Sequence, residues 1–281
     1  MRTRVPAVSP LLLSLVLLVA ARDVDTKKAP ADLTASDINT CVQQNFPDDS
    51  MIQTVKMLMK DRMGVERLLE ADMFWEKDQA TRLSKVLLEF DNPPELRGAA
   101  VLLIEKKPMN DMFMYLPELG KTRRITTQMV NGNMMGTDFT YEDFSRLQGM
   151  VSNLQTERLP DEQYADRPVF VTLARPAPDT GSDYDRIRSL IDQKTCVPLR
   201  VDFFQKGGEQ PVKVLAIDPA KLSKEKSGWI PRELQMEDVA GGTSTRIVIE
   251  KLQVSVPIDR KRFSQTELDR QGRLKPAITH Y

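Results

Sequence analysis

Residues Tyr115–Phe144 read YLPELGKTRRITTQMVNGNMMGTDFTYEDF. The pattern is a strand ending at Leu116-Pro117, a turn, a basic strand, a Met-rich Gly/Asn loop and a short capped helix. Pro117 cannot donate to a sheet ladder and so closes the strand. Thr140 caps the helix with Asp143 at its third position, a variant of the capping box, and Phe139 and Phe144 are placed for a hydrophobic staple. Lys121, Arg123 and Arg124 form the most concentrated positive cluster in the chain. It has two readings: contact with lipid headgroups or an acidic partner surface, or a solvated edge strand whose charges discourage aggregation. The methionines also have two. Met109, Met112, Met114, Met129, Met134 and Met135 suit an adaptable apolar pocket, or fill gaps in an irregular core.

Upstream, Gly98–Glu105 and Asp111–Leu116 are strands with an anomaly. In AAVLLI (99–104) and MFMYL (112–116) both faces are apolar, whereas a short antiparallel strand with one wet face alternates. Two covers meet that requirement: a helix packed in the sheet's concavity, or a hydrophobic ligand. Earlier still, Thr34 or Ser36 caps a helix with Ile38, Cys41 and Val42 on one face, ended by Phe46-Pro47. Period-two patterning starts at Met51 and continues through Val65–Glu76, where Arg67, Leu69, Ala71, Met73 and Trp75 share a face, with a turn at Arg62-Met63-Gly64. Arg82–Phe90 is a further strand, stopped by Asn92-Pro93-Pro94.

The second half is also strand-rich. Pro168–Ala174 is a strand, and Tyr184–Asp192 has the length of a short helix but strand neighbours on both sides. Val197–Gln205 and Val212–Ile217 flank Lys206–Glu209 as a hairpin. Trp229–Val239 and Thr243–Val256 form a second hairpin around Gly241-Gly242. A terminal helix follows from Phe263 to Arg270, capped by Ser264. The expectation is a mainly β chain of about ten strands and three short helices: one antiparallel sheet curled into a half-barrel around short helices.

The N-terminus reads as an export signal. Arg2 and Arg4 precede an apolar run from Leu11 to Val19, and Val19-Ala20-Ala21 offers a small-x-small cleavage site. The run is short of the ~20 residues of a membrane span, and Cys41 lies too far downstream for lipid attachment at the cleavage site. An uncleaved signal would instead leave an anchor. The expected organisation is a signal peptide over 1–21, a flexible tether over 22–33, a β domain over 34–272 and a loose tail over 273–281, in a protein released into the periplasm. In that compartment Cys41 and Cys196 form either a disulfide or two buried thiols, and export and the even count favour the bridge.

The chain's 40 basic and 40 acidic residues give no electrostatic reason to expect nucleic acid. His280 is the sole histidine, so Ser-His-Asp and Cys-His centres lack their base. No zinc motif, phosphate-cradling loop or dinucleotide fingerprint is present, and no spacing selects a carboxylate pair. The sequence reads as a monomeric non-enzyme, with no cofactor and no metal expected.

The motifs YLPELGKTRRI (115–125) and GTDFTYEDF (136–144) resemble the bacterial outer-membrane lipoprotein-sorting family, the LolA-like periplasmic proteins. Their order, the preceding NPPELRGAAVLLIEK (92–106) and the later DQKTCVPLRVDFF (192–204) fit it, and the resemblance spans Cys41 to Arg270. It implies an incomplete antiparallel β-barrel around helices, with an apolar cavity for the acyl chains of a lipoprotein or another lipid bound for the outer membrane. It supplies no catalytic residues. Proteins of this branch often accompany RND-type exporters, so an inner-membrane RND-type transporter is an expected partner, and a non-carrying accessory protein docked on one is the alternative role. On this reading Leu102, Ile104, Met112, Met114, Met129, Met134 and Met135 are the candidate cavity residues, with Lys121, Arg123 and Arg124 as headgroup or partner contacts.

Overall fold

The computed structural model describes residues 29–150 and 154–274. The expected signal peptide, most of the expected tether, the tail from 275 and His280 lie outside the described residues. Pro30–Asp32 form a single 3-10 turn in a small N-terminal unit. The second unit begins at Leu33 with helix α1, Ala35–Gln43. Thr34 is its cap: Asp37 N donates to Thr34 Oγ1 (3.2 Å), and Thr34 N donates to Asp37 Oδ2 (2.8 Å).

Six strands follow as a meander: β1 Ser50–Lys60, β2 Glu66–Lys77, β3 Ser84–Asn92, β4 Ala100–Ile104, β5 Asp111–Leu116 and β6 Lys121–Arg124. Helix α2, Tyr141–Leu147, lies in the connection to a second meander. That meander comprises β7 Leu154–Tyr164, β8 Arg167–Pro176, β9 Tyr184–Asp192, β10 Pro198–Gln205 and β11 Lys213–Ala216. A small hairpin, β12 Leu222–Lys224 and β13 Trp229–Pro231, interrupts it before β14 Glu233–Asp238 and β15 Thr243–Val254. Helix α3, Gln265–Leu274, ends the described chain.

Thirteen strands make one sheet in the order β6-β5-β4-β3-β2-β1-β15-β14-β11-β10-β9-β8-β7. Its pairings are antiparallel, and the two meanders join where β1 meets β15, from Met51 opposite Val254 to Lys60 opposite Ser244. The edges, β6 and β7, are consecutive in sequence yet stand at opposite ends of the order, so the sheet is not closed into a barrel. Both edges are blunted. In β7, Pro160 sits in a register shift between Leu159 and Glu162. In β6 the strand is short and basic, and Thr122 N is taken by Asp269 Oδ1 of α3 at 2.8 Å. Such devices discourage edge-to-edge pairing.

The doubly apolar strands are covered on both faces by the chain itself. Val101, Leu103 and Met112 pack in one cluster with Met134, Phe139, Tyr141 and Phe144 from the β6–β7 connection. Ala100, Leu102 and Tyr115 face the other way, with Phe74 and Leu87, beneath Phe263 and Leu268. A helix in the concavity was thus half of the answer. The terminal helix covers the outer face as well, because Ser264 starts it with Leu268 turned onto the sheet: Glu267 N donates to Ser264 Oγ at 3.3 Å. Arg262 reinforces this cover, its guanidinium 4.0 Å from the centre of the Phe74 ring and 2.8 Å from Glu89.

Cys41 and Cys196 are bridged, with Cα atoms 5.6 Å apart and a sequence separation of 155. Cys196 occupies the β9–β10 turn with φ of 58°. Asp192 shapes that turn, accepting from Thr195 N at 2.9 Å and Thr195 Oγ1 at 2.6 Å. Closing a loop of this length is worth about 5 kcal/mol in the chain-entropy model. Thiol titration of the denatured, unreduced protein is expected to find neither cysteine reactive. Replacing both by Ser is expected to lower the unfolding free energy by roughly 2–5 kcal/mol in denaturant titration. Two reactive thiols, or an unchanged midpoint, would contradict the bridge.

Candidate functional site

The β6–β7 connection runs from one edge of the sheet to the other, and buried polar groups hold it. Asp138 N donates to Thr245 Oγ1 at 2.9 Å, and the Asp138 carboxylate accepts from Thr245 Oγ1 at 2.6 Å and from Thr243 Oγ1. Lys213 Nζ, on β11, donates to Asp138 O at 2.7 Å and to Asp143 Oδ2 at 3.3 Å. Asp143 is 1% exposed. It also completes the α2 capping box, accepting from Thr140 N at 2.9 Å, and takes the Tyr184 hydroxyl at 2.9 Å. Burial, and then the Asp143 charge, push the Tyr184 phenol far above its ordinary value. One carboxylate therefore starts α2 and ties it to β9 and β11.

Beside α2 lies a cavity of about 320 Å³. Its wall includes Leu88 of β3 and Thr172 of β8, which are eight strand steps apart in the sheet order. In a flat sheet those steps, at ~4.8 Å each, would separate them by roughly 38 Å, so the sheet curls around the cavity. Val55, Met57, Met73, Ile247 and Ile249 make its apolar wall. Helix α1 and the C-terminal end of α2 contribute Ile38, Val42, Phe144 and Leu147. The disulfide fixes α1 in place. Asn45, just beyond it, bridges two turns: Nδ2 donates to Thr195 O, and Oδ1 accepts from Trp229 N, each at 2.9 Å. Phe46 stacks on Trp75 at 6.1 Å. Gly149, with φ of 73°, admits the Phe46 ring within 3.0 Å of where a Cβ would stand.

The seven candidate cavity residues lie elsewhere. Leu102 and Ile104 face α3. Met112, Met114, Met134 and Met135 pack into the core with the connection, and the Tyr141 hydroxyl is 3.5 Å from Met114 Sδ. Met129 is 38% exposed. None of the seven lines the 320 Å³ cavity. Lys121, Arg123 and Arg124 sit exposed on the edge strand β6, and Arg124 pairs with Asp111. The lining comes from α1 and the segment after it, from the end of α2, and from strands on both sides of the β1–β15 seam. Their inward alternation was visible in the sequence, but which inward positions stay uncovered depends on long-range placement.

A family model described as an uncharacterized protein matches residues 82–270. The chain belongs to that family. No curated protein matches it in sequence. Among solved structures, a putative outer membrane lipoprotein-sorting protein domain from Vibrio parahaemolyticus is 22% identical, over 82% of this chain and 97% of that one, with a TM-score of 0.74. A DUF1329 family protein from Desulfovibrio piger is 20% identical over 83% and 96%, with a TM-score of 0.76. A LolA superfamily protein from Nitrosomonas europaea is 16% identical over 84% and 99%, with a TM-score of 0.64. The fold is therefore LolA-like.

The LolA-like sheet's hold on its internal connection can be tested at Asp143. Asp143→Ala leaves Lys213 buried without its carboxylate, and is expected to cost roughly 3–5 kcal/mol in urea unfolding; a loss under about 1 kcal/mol would show that the carboxylate does not anchor the connection. Tyr184 adds a pH signature. Its folded-state pKa is raised above the ordinary 10.0, so its contribution is fully present below that pH and falls as pH rises beyond it. Tyr184→Phe is expected to flatten that alkaline loss of stability.

Proposed function

We propose that the protein is an exported, periplasmic carrier that shields the acyl chains of a lipoprotein or other lipid during transport to the outer membrane. The observation that carries this reading is the 320 Å³ cavity walled by aliphatic and Met side chains inside the curled sheet. Its volume falls within the roughly 300–1,000 Å³ of small-molecule sites. Each methylene moved from water into such a wall is worth ~0.8 kcal/mol, so a single acyl chain supplies ample driving force. Release then requires an acceptor that binds the cargo better. The lipoprotein-sorting description of the Vibrio relative agrees with this reading, as does the sequence's export signal.

Native mass spectrometry of protein purified from the periplasm without detergent is expected to show a bound lipid. Added lipid is expected to displace a fluorescent fatty-acid probe. Ala174→Phe, which places a ring in the cavity wall, is expected to weaken probe binding about tenfold or more, equivalent to ~1.4 kcal/mol. Absence of both bound lipid and probe displacement would overturn the carrier reading, and unchanged binding by Ala174→Phe would place the ligand outside this cavity.

A further inference from the structure

The cavity wall is not uniformly apolar, and its polar members divide by whether they have partners. Asp143 and Arg146 are the charged lining residues among those described. Both are engaged: Asp143 by Lys213, Tyr184 and Thr140, and Arg146 by Glu142, with Nε 3.1 Å from Oε1. Several neutral groups are not. Thr172 is 6% exposed and Gln148 8%, and both line the cavity. Among the described residues, neither side chain has a hydrogen-bond partner. Gln53, 5% exposed, reaches only Met51 Sδ, at 3.1 Å from its Nε2. A thioether is a weak acceptor, and the Gln53 carbonyl oxygen is left over. Ser189 also lines the cavity and stands directly across from Thr172 in the β8–β9 pair, so two hydroxyls lie side by side.

A polar side chain that opens into an apolar cavity without a protein partner is free to bond what enters it. These four do so from β1, β8, β9 and the end of α2, and so face the cavity from different sides. They offer O–H and N–H donors to an uncharged acceptor, and the wall offers no unpaired charge. A bare hydrocarbon would leave these groups unsatisfied. A lipid whose ester or amide carbonyls enter with its chains would engage them.

We infer that Thr172, Ser189, Gln148 and Gln53 form a recognition site for the uncharged ester- or amide-linked acyl portion of the ligand. The inference rests on the carrier reading. It adds that the cavity distinguishes an acyl ester from an alkyl chain of the same length. Any charged headgroup then stays outside this wall.

The test compares two competitors for the fluorescent fatty-acid probe on the full chain: a diacylglycerol and its diether analogue with identical chain lengths. The ether lacks only the carbonyl acceptors. The diester is expected to bind about tenfold more tightly, the size of discrimination that a few neutral hydrogen bonds provide. Thr172→Val, nearly isosteric, and Gln148→Leu are each expected to bring the diester-to-diether ratio below about threefold. Circular dichroism checks that each variant is folded, and Ser189→Ala serves if either is not. Equal affinity for the two lipids, or a ratio unmoved by the substitutions, overturns this inference and leaves the carrier reading standing. Binding of neither lipid overturns the carrier reading itself. A phospholipid and an S-diacylglyceryl-cysteine peptide as further competitors tell a lipid source from a lipopeptide source. Displacement by either more strongly than by the diether supports the inference, and displacement by neither counts against it.

Discussion

A carboxylate that is 1% exposed, Asp143, meets a buried ammonium, Lys213, 3.3 Å away. The rest of the structure depends on that contact because of the sheet's topology. Two meanders join at the β1–β15 seam, which leaves the edge strands β6 and β7 far apart while the chain must pass from one to the other. The passage runs across the inner face, and it brings polar backbone with it. Buried peptide groups need partners, and the turn at Met134–Phe139 supplies one internally: Met134 N donates to Phe139 O at 2.8 Å. The strands supply two more: Lys213 Nζ donates to Asp138 O, and Thr245 Oγ1 accepts from Asp138 N. Removing one member of such a network strands the others in a low-dielectric interior, which is more costly than never having built it.

The same connection explains why the interior is partly filled and partly hollow. Phe139, Tyr141 and Phe144 pack against β4 and β5, so the half of the inner face nearest β6 is core. Nearer β8–β10, α1 and the end of α2 frame the cavity without filling it. Protein interiors otherwise pack to crystal-like density, and a hollow forfeits dispersion contacts along its wall. Local reinforcement offsets that loss. The disulfide, the Asn45 bridge and the Phe46–Trp75 stack all act on the segment that frames the hollow. The outer face is sealed independently by α3 and Arg262.

Much of this fold was legible in the sequence wherever local periodicity and burial agree. Leu69, Ala71, Met73 and Trp75 are buried on one face of β2, as their alternation implies. The Thr140 capping box, the Ser264 cap and the Cys41–Cys196 pair formed from the residues that signal them. Tyr184–Asp192 is a strand, its neighbours outweighing its helix-like length. Strand β7 was not legible. LQTERLPDEQY is an edge with no buried position and a proline at its register shift, so the apolar alternation that reveals other strands is missing. The cavity was illegible for a different reason. The Met-rich loop drew attention by composition, yet Met134 became core because the connection folds inward. Thr172 and Gln148 looked like ordinary polar residues, and only their long-range neighbours make them unpartnered.

The proposed carrier function requires that ligand occupy the inner cavity beside α2, and not the doubly apolar strands or the Met-rich loop. Photo-crosslinking with a fatty acid carrying a diazirine on its chain, followed by peptide mapping, tests this most directly. Adducts are expected on the cavity wall, at residues such as Val55, Met57, Leu88 and Ile247, suppressed by excess unlabelled lipid. Adducts concentrated on Leu102, Ile104 or Met129, with the cavity wall unlabelled, would contradict it.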